Sequence, residues 1–557
     1  METYDVIIVG AGHNGLVCAA YLLKAGYKVL LLEKRSVPGG AATTEEALPE
    51  QAPGFKFNLC AIDHEFIFFS PIIEELQLAR YGLKYLSCDP HTFCPHPDGK
   101  YFLAHKSLEK TCAAIARYST RDAEKYREFV EYWSHLMGAI APWFNAPPQS
   151  VLAIARNYTQ KNLLDALKMV GSKNKALNFI RTMITSPEDL LNQWFDTEIV
   201  KAPLARLAAE IGAAPSQKGI TAGLMMLAMR HHPGMARPQG GTGALTQALV
   251  KLVTASGGVI LTEQMVKEVI VDDNRAVGVK VTGGKEYSAT KGVISNIDVQ
   301  RLFLQLIEPG VVETELREKV QRNIVNNNET ILKIDCALSE PPRFEAYEHQ
   351  DEYLIGTILI ADSVAHVEQA HSLAMMGEIP DRNPSMYLDV PSVLDPTLAP
   401  PGKHTLWIEF FAPYQIAGKD GTGLNGTGWT DELKNQVADR VMDKLAEYAP
   451  NLKSSVIARR VESPAELGER LGSYKGNYYH LDMTLDQMIF LRPLPEIANY
   501  TTPIKNLYLT GAGTHPGGSI SGMPGRNCAR VFLQQQSPFA KAQQSIQSVF
   551  NSVFAQE

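Results

Sequence analysis

The chain has 557 residues, with 53 Lys and Arg against 60 Asp and Glu, for a formal charge of −7. That balance leaves no electrostatic footprint for a nucleic-acid partner. With 45% hydrophobic and 20% charged residues, 42 glycines and 33 prolines, the composition is that of a soluble protein with a sizeable core, and it excludes disordered, collagen-like and coiled-coil classes.

The acidic start, Met1 to Asp5, runs directly into a hydrophobic strand and does not match a secretion signal, so the protein is not expected to be secreted. Val6 to Val9 is a short β-branched run, Gly10-Ala11-Gly12-His13-Asn14-Gly15 fits G-x-G-x-x-G, Leu16 to Leu23 reads as a helix, and Val29 to Leu32 is a second strand ending in Glu33. Strand, glycine turn, helix, strand and acid in this order form a dinucleotide site. Gly10 permits the tight turn, Gly12 the approach of backbone to a pyrophosphate, and Gly15 close helix–strand packing, while Glu33 accepts hydrogen bonds from a ribose. Gly39-Gly40-Ala41 follows as a second glycine turn.

Farther along, the charge-free stretches Val6 to Leu23 and Met137 to Ala155 are too broken by glycine and by Pro142, Pro147 and Pro148 to cross a membrane as helices. Arg237 to Leu245 opens a helix that leads to strands at Val259 to Leu261, Val266 to Val271 and Ala276 to Val281. Gly421 to Gly426 also fits G-x-G-x-x-G, but polar Gly418-Lys419-Asp420 precedes it and no acid-terminated strand follows, so it reads as a surface loop. Near the C-terminus a strand, Leu507 to Leu509, enters the glycine-rich run Gly511 to Gly525, and a helix begins by Ala529. Ile546, Val549, Phe550, Val553 and Phe554 then form one apolar helical stripe in a tail spanning 536–557. The seven cysteines contain no C-x-x-C pair and are expected to be free, buried thiols in a reducing compartment, and His231-His232 lacks a third ligand, so no metal site is expected.

Taken together, the Gly10 turn, Glu33-Lys34-Arg35, Gly39-Gly40 and the Gly511 segment resemble the amine-oxidase and phytoene-desaturase flavoproteins. That resemblance implies FAD as cofactor and an α/β fold, a Rossmann-like FAD-binding domain assembled from the discontinuous segments 1–70, 230–300 and 500–535. An α+β substrate domain would come from 71–229 and 301–499. The cofactor residues it implies are Gly10, Gly12, Gly15, Glu33, Lys34, Gly39, Gly40, Ala41, Val266 beside the adenine, Gly511, Gly513 and Gly522.

Longer runs narrow the resemblance. Gly10 to Ala20, Phe57 to Phe66, Leu485 to Met488 with Arg492-Pro493, and Gly511 to Arg530 look like the flavin-dependent β-carotene ketolases related to phytoene desaturase. The activity implied is oxidation of the allylic C4 of a β-ionone ring to a ketone, giving echinenone or, with both rings oxidised, canthaxanthin. The substrate would be an apolar carotenoid and the electron acceptor is unknown. Alternatives are an FAD-dependent carotenoid desaturase or isomerase, and a non-catalytic isoprenoid-binding protein. Asp63 or His64 would take a proton from water; the other reading of these residues is that Asp63 and Glu65 are ion-paired structure and Arg492 a flavin or backbone anchor. The candidates for lining an apolar tunnel are Phe66 to Phe69, the run Leu224 to Met229, and Trp407 with Phe410 and Phe411, each of which also reads as ordinary core. A water-insoluble substrate implies peripheral attachment to the cytoplasmic side of a membrane, for which the C-terminal stripe is either the device or, lacking a basic polar face, a helix that docks on the protein itself.

Overall fold

The computed structural model describes residues 2–148, 158–345, 347 and 351–537. Two seven-stranded sheets organise the chain. In the first, strand Glu2–Val9 pairs in parallel with Val29–Leu32 on one side and Glu286–Ser295 on the other, with Ile8 opposite Leu31 and Ile294. Val259–Leu261 extends it beyond Val29–Leu32, and Leu507–Leu509 pairs in parallel with Glu286–Ser295. The antiparallel strands Val266–Asp272 and Arg275–Val281 complete the sheet. Val6, Ile7 and Ile8 are fully buried because helices cover one face and a second apolar cluster the other, which is why this strand reads as an unbroken apolar run.

The first helix spans His13–Lys24, three residues longer at its start than the hydrophobic pattern predicts. The cause is local: the Leu16 amide donates to the Gly12 carbonyl at 3.0 Å, so the helix starts inside the glycine turn. Helix Met523–Gln536 lies against it, and the approach depends on glycine, since a Cβ on Gly525 would sit 2.1 Å from the Asn14 carbonyl oxygen.

The second sheet runs in the order Val456–Glu462, Glu329–Leu338, His404–Pro413, Met386–Asp389, Thr357–Ile360, Thr92–Pro95 and Tyr101–Ala104. Strand alternation gives it two different faces. Leu332, Ile334, Ile408 and Phe410 join a core beneath helix Asp431–Ala446, while Ile331, Lys333, Asp335, Trp407, Glu409 and Phe411 lie on the other face, toward the first sheet's loops. Phe410 therefore does not line a tunnel with Trp407, because its odd spacing from Trp407 puts it on the opposite side of the strand. Helices between Leu108 and Ala209 pack around a third core that includes Trp133, Phe195, Trp407 and Phe411. The seven cysteines are buried free thiols, and no helix among the described residues is long and apolar enough to cross a membrane. The C-terminal apolar stripe, residues 546–554, lies outside the described residues.

Candidate functional site

A groove opens at the C-terminal edge of the first sheet, where open α/β sheets bind ligands. Gly10, at φ +93°, turns the chain out of the first strand, a conformation that favours glycine. Gly12 and Gly40 face each other across the turn, and a Cβ on Gly40, which has φ +61°, would come 3.1 Å from the Gly12 Cα. Gly12, His13 and Asn14 then present the N-terminus of the first helix to the groove. Glu33 stands at its floor, accepting hydrogen bonds from the Ala11 amide at 2.9 Å and the Arg35 amide at 3.0 Å. A carboxylate has further lone pairs, so this anchored group can still accept from a hydroxyl.

Of the expected cofactor residues, Gly10, Gly12, Glu33, Lys34, Gly40, Ala41, Val266 and Gly511 line the groove. Gly15, Gly39, Gly513 and Gly522 do not; they permit packing behind it. A Cβ on Gly15 would meet the Gly10 carbonyl oxygen at 2.5 Å, and one on Gly522 the Ile72 side chain at 2.8 Å. Sequence reasoning missed Arg301, Arg470, Ser473 and His480, which reach the groove from segments without glycine motifs.

The residues present fit a dinucleotide. Lys34, Arg35, Arg301 and Arg470 surround a groove whose only acid among the described residues is Glu33, a field that favours a pyrophosphate. His13 Nε2, Arg35 Nη1, Arg470 Nη1, Ser473 Oγ and His480 Nδ1 are buried without a partner among the described residues, as expected of groups that meet a polar ligand. Burial lowers His13 to about 4 and Lys34 to about 8, the latter with help from the nearby Arg301 charge.

At its inner end the groove meets a cavity, and His13, Ala41, Tyr478 and Ala512 line both. Loops of the first sheet, with Cys60 to Asp63 and Ser519-Ile520, form the near wall. Ile331, Tyr387, Trp407 and Glu409 of the second sheet form the far wall, and Met226, Tyr479 and Glu210 complete it. Met226 is the member of the Leu224 to Met229 run that reaches the cavity; Met225 and Met229 are buried in the adjoining core. Phe66 and Phe69 also pack on that core rather than on the cavity.

Asp63 lines the cavity but is tightly held. It accepts from Arg237 Nε at 2.7 Å and from the Thr357 and Tyr387 hydroxyls at 2.6 Å each, with Arg230 3.6 Å away. Burial would raise its pKa, yet Arg237, Arg230 and these hydroxyls outweigh it and hold it at about 2. His64 is fully buried and does not line the cavity; its ring nitrogens meet the Tyr85 hydroxyl at 2.9 Å and the Thr242 hydroxyl at 2.8 Å, and burial lowers it to about 3. Its position does not support the expected role of proton acceptor, because both nitrogens already join structural segments.

The groups better placed to move a proton are Glu409 and Glu210, which sequence reasoning missed. Both line the cavity and they share a side-chain hydrogen bond. Burial and the neighbouring Glu210 carboxylate push the Glu409 carboxyl well above its usual range. Arg206 pairs with Glu210, and Lys333, paired with Asp335, sits over the Trp407 ring. Alternation along a strand hides such a pair from sequence, since Glu409 stands between Ile408 and Phe410 in an apolar run.

Arg492 donates to the carbonyls of Tyr479, Leu481, Asp482, Gln487 and Ala512, fastening the 479–487 loop to the cavity wall. Asp482 accepts from the Asn477 side-chain amide at 2.8 Å and the Asn327 backbone amide at 3.2 Å, the Gln487 side-chain amide donates to the Asn323 carbonyl at 3.3 Å, and His515 Nε2 donates to the Trp143 carbonyl from outside the cavity, at 2.9 Å.

The profile of the family described as flavin containing amine oxidoreductase matches residues 15–525. The chain is 33% identical to the rat (Rattus norvegicus) pyridine nucleotide-disulfide oxidoreductase domain-containing protein 2, over 95% of this chain and 93% of that one. It is 26% identical to the lycopene-forming phytoene desaturase of Pseudescherichia vulneris, covering 93% and 96%, and 25% identical to the chloroplastic prolycopene isomerase of Daucus carota, covering 97% and 82%. An oxidoreductase structure from Methanosarcina mazei superposes with a TM-score of 0.60 over 96% of this chain and all of that one, at 17% identity. The protein belongs to the flavin containing amine oxidoreductase family, and it is an oxidoreductase whose cofactor is FAD.

Proposed function

We propose that the protein is a carotenoid 4-ketolase that oxidises the allylic C4 of the β-ionone ring of β-carotene to a ketone. The observation that carries this reading is the cavity at the inner end of the groove, where Trp407, Tyr387, Tyr478, Tyr479 and Ile331 offer flat and aliphatic surfaces to a hydrocarbon ring. FAD, held along the groove by Gly10, Gly12, Glu33 and Gly40, would supply the hydride acceptor for a ring bound in that cavity. The protein's own contribution is to hold C4 there and to manage protons. Asp63, fixed as an anion by Arg237, orients the Tyr387 hydroxyl at the cavity edge. The Glu409–Glu210 pair accepts the proton released when water adds at C4 and again when the alcohol becomes a ketone. An external electron acceptor closes each cycle, and a peripheral position on the cytoplasmic face of a membrane supplies the substrate.

The likeness to a phytoene desaturase over 93% of the chain and to a prolycopene isomerase over 97% favours a second reading, an FAD-dependent carotenoid desaturase or isomerase. Expression in a host that accumulates β-carotene separates the two. Echinenone or canthaxanthin supports the ketolase; unchanged β-carotene there, with conversion of phytoene or of cis-lycopene in the corresponding hosts, supports the alternative.

A further inference from the structure

Helices Gln160–Val170 and Lys173–Ile184 form a hairpin whose outward side is apolar. Leu163, Leu164, Leu167, Val170, Leu177, Ile180 and Ile184 are each 46–55% exposed. These are seven of the fifteen exposed large apolar side chains among the described residues, gathered within 22 positions of the chain. Scattered single apolar side chains on a surface need no explanation, but a contiguous patch does.

The hairpin is not a core face turned the wrong way, because its inner side is already engaged. Asp165 meets His135 Nδ1 at 3.0 Å, the Asn162 amide donates to the Gly138 carbonyl at 2.7 Å, and Phe179 and Met183 pack on the helical core. The outward stripe is surplus to folding. Its charge is one-sided as well: Lys161, Lys168, Lys173, Lys175 and Arg181 are exposed along the two helices, and the one acid between 160 and 184, Asp165, is buried. On the helical wheel Lys161 and Lys168 lie together on one edge of the leucine stripe, and Lys173 and Arg181 lie one turn before and one turn after Leu177, on or beside its face. In a chain of net charge −7 this is a local reversal of sign.

We propose that this hairpin docks the protein on an anionic lipid bilayer, with the leucine and isoleucine side chains in the acyl boundary and the lysines among the headgroups. Its position gives the docking a purpose. The Gly219 amide donates to the Thr185 carbonyl at 3.2 Å and the Thr221 hydroxyl to the Thr182 carbonyl at 2.9 Å. From Thr221 the chain runs through a short turn into Met225–Met229, where Met226 lines the cavity. The hairpin that carries the docking face is thus fastened to the segment that brings Met226 to the cavity. The docking itself stands whether or not the substrate is a carotenoid.

The test is co-sedimentation of the full-length FAD-loaded protein with vesicles, without substrate. Phosphatidylcholine vesicles containing phosphatidylglycerol should bind it more tightly than phosphatidylcholine alone. A Leu163→Ser, Leu167→Ser, Ile180→Ser variant should lose at least about tenfold in partition, with flavin absorbance and melting temperature unchanged. Lys161→Gln, Lys173→Gln, Lys175→Gln should remove the preference for the anionic vesicles. Deletion of residues 541–557 should leave binding in place. Wild-type binding by the serine variant, loss of binding on the tail deletion alone, or a serine variant that turns a dimer into a monomer without altering vesicle binding would overturn the proposal. A failure to form ketone in cells would count against the ketolase reading and leave the vesicle result untouched.

Discussion

The Asp63 carboxylate lies 2.7 Å from Arg237 Nε, which joins the segment leaving the first sheet's loops to the strand that leads into helix Gly243–Ala255. Arg237 also pairs with Asp389 on the second sheet, and Arg230 reaches Glu65 at 3.0 Å, so these charges close one buried network behind the cavity. Such a network is stable only while every member is present.

Asp63→Asn is therefore expected to destabilise the protein by about 3–5 kcal/mol, the range for breaking a buried ion pair, measured by thermal or urea denaturation. Because the folded Asp63 carboxyl is held at about 2, below its ordinary 3.8, its linked stabilisation is present above pH 4 and is lost as the pH falls from there toward 2. The Asn variant should show a flatter acid limb in that window. An unchanged acid limb would mean that Asp63 does not titrate as described.

Gly12→Ala and Glu33→Ala are each expected to lower FAD occupancy. A Cβ on Gly12 would stand 3.2 Å from the Asn296 amide and project toward the groove, and loss of Glu33 removes a charge-assisted contact of about 1.5–3 kcal/mol. Flavin absorbance of the purified proteins and equilibrium titration with FAD report the change, and full occupancy with wild-type affinity in both variants would contradict the cofactor geometry.

Glu409→Gln should reduce ketone formation by about a hundredfold or more, the usual share of a general base, with flavin content unchanged. Since burial and Glu210 raise the Glu409 carboxyl, the wild-type rate should climb with pH as Glu409 loses its proton. The variant should lack that limb. A pH profile of the same shape in both proteins would remove the pair from the chemistry.

Ketone formed in oxygen-18 water under ordinary air, analysed promptly with a control for carbonyl exchange, should carry the label. This follows from water capture at C4 and from two successive dehydrogenations. Label arriving from oxygen-18 gas instead would replace that route with oxygen insertion and leave the ketolase reading intact.

The cofactor half of the site was legible in the sequence because its determinants are local. A turn at φ +93° favours a glycine at position 10, backbone-to-backbone approach calls for glycine at 12 and 40, and the acid that follows the second strand is a fixed number of residues away. The strands at Val259, Val266 and Arg275 were readable for the same reason, as short β-branched runs between turns. The helix start at His13 was missed because a glycine-rich turn can carry helical hydrogen bonds that no hydrophobic pattern marks.

The cavity beside the groove was not legible, because it depends on which face of a distant strand meets the loops of the first sheet. Trp407, Glu409 and Phe410 are neighbours in sequence, yet the two-residue period of the strand sends Phe410 into the opposite core and brings Glu409 against Glu210, 199 positions earlier. His64 and Asp63 look alike as proton acceptors until their partners are known; Arg237 and Thr242, both more than 170 residues away in sequence, decide otherwise. By itself the sequence determined the nucleotide fold and the cofactor's cradle, whose geometry is written in residues a few positions apart. Only the tertiary structure decided which carboxylates are pinned, which are brought together and which apolar face is left to the outside, because burial and charge pairing are properties of neighbours in space.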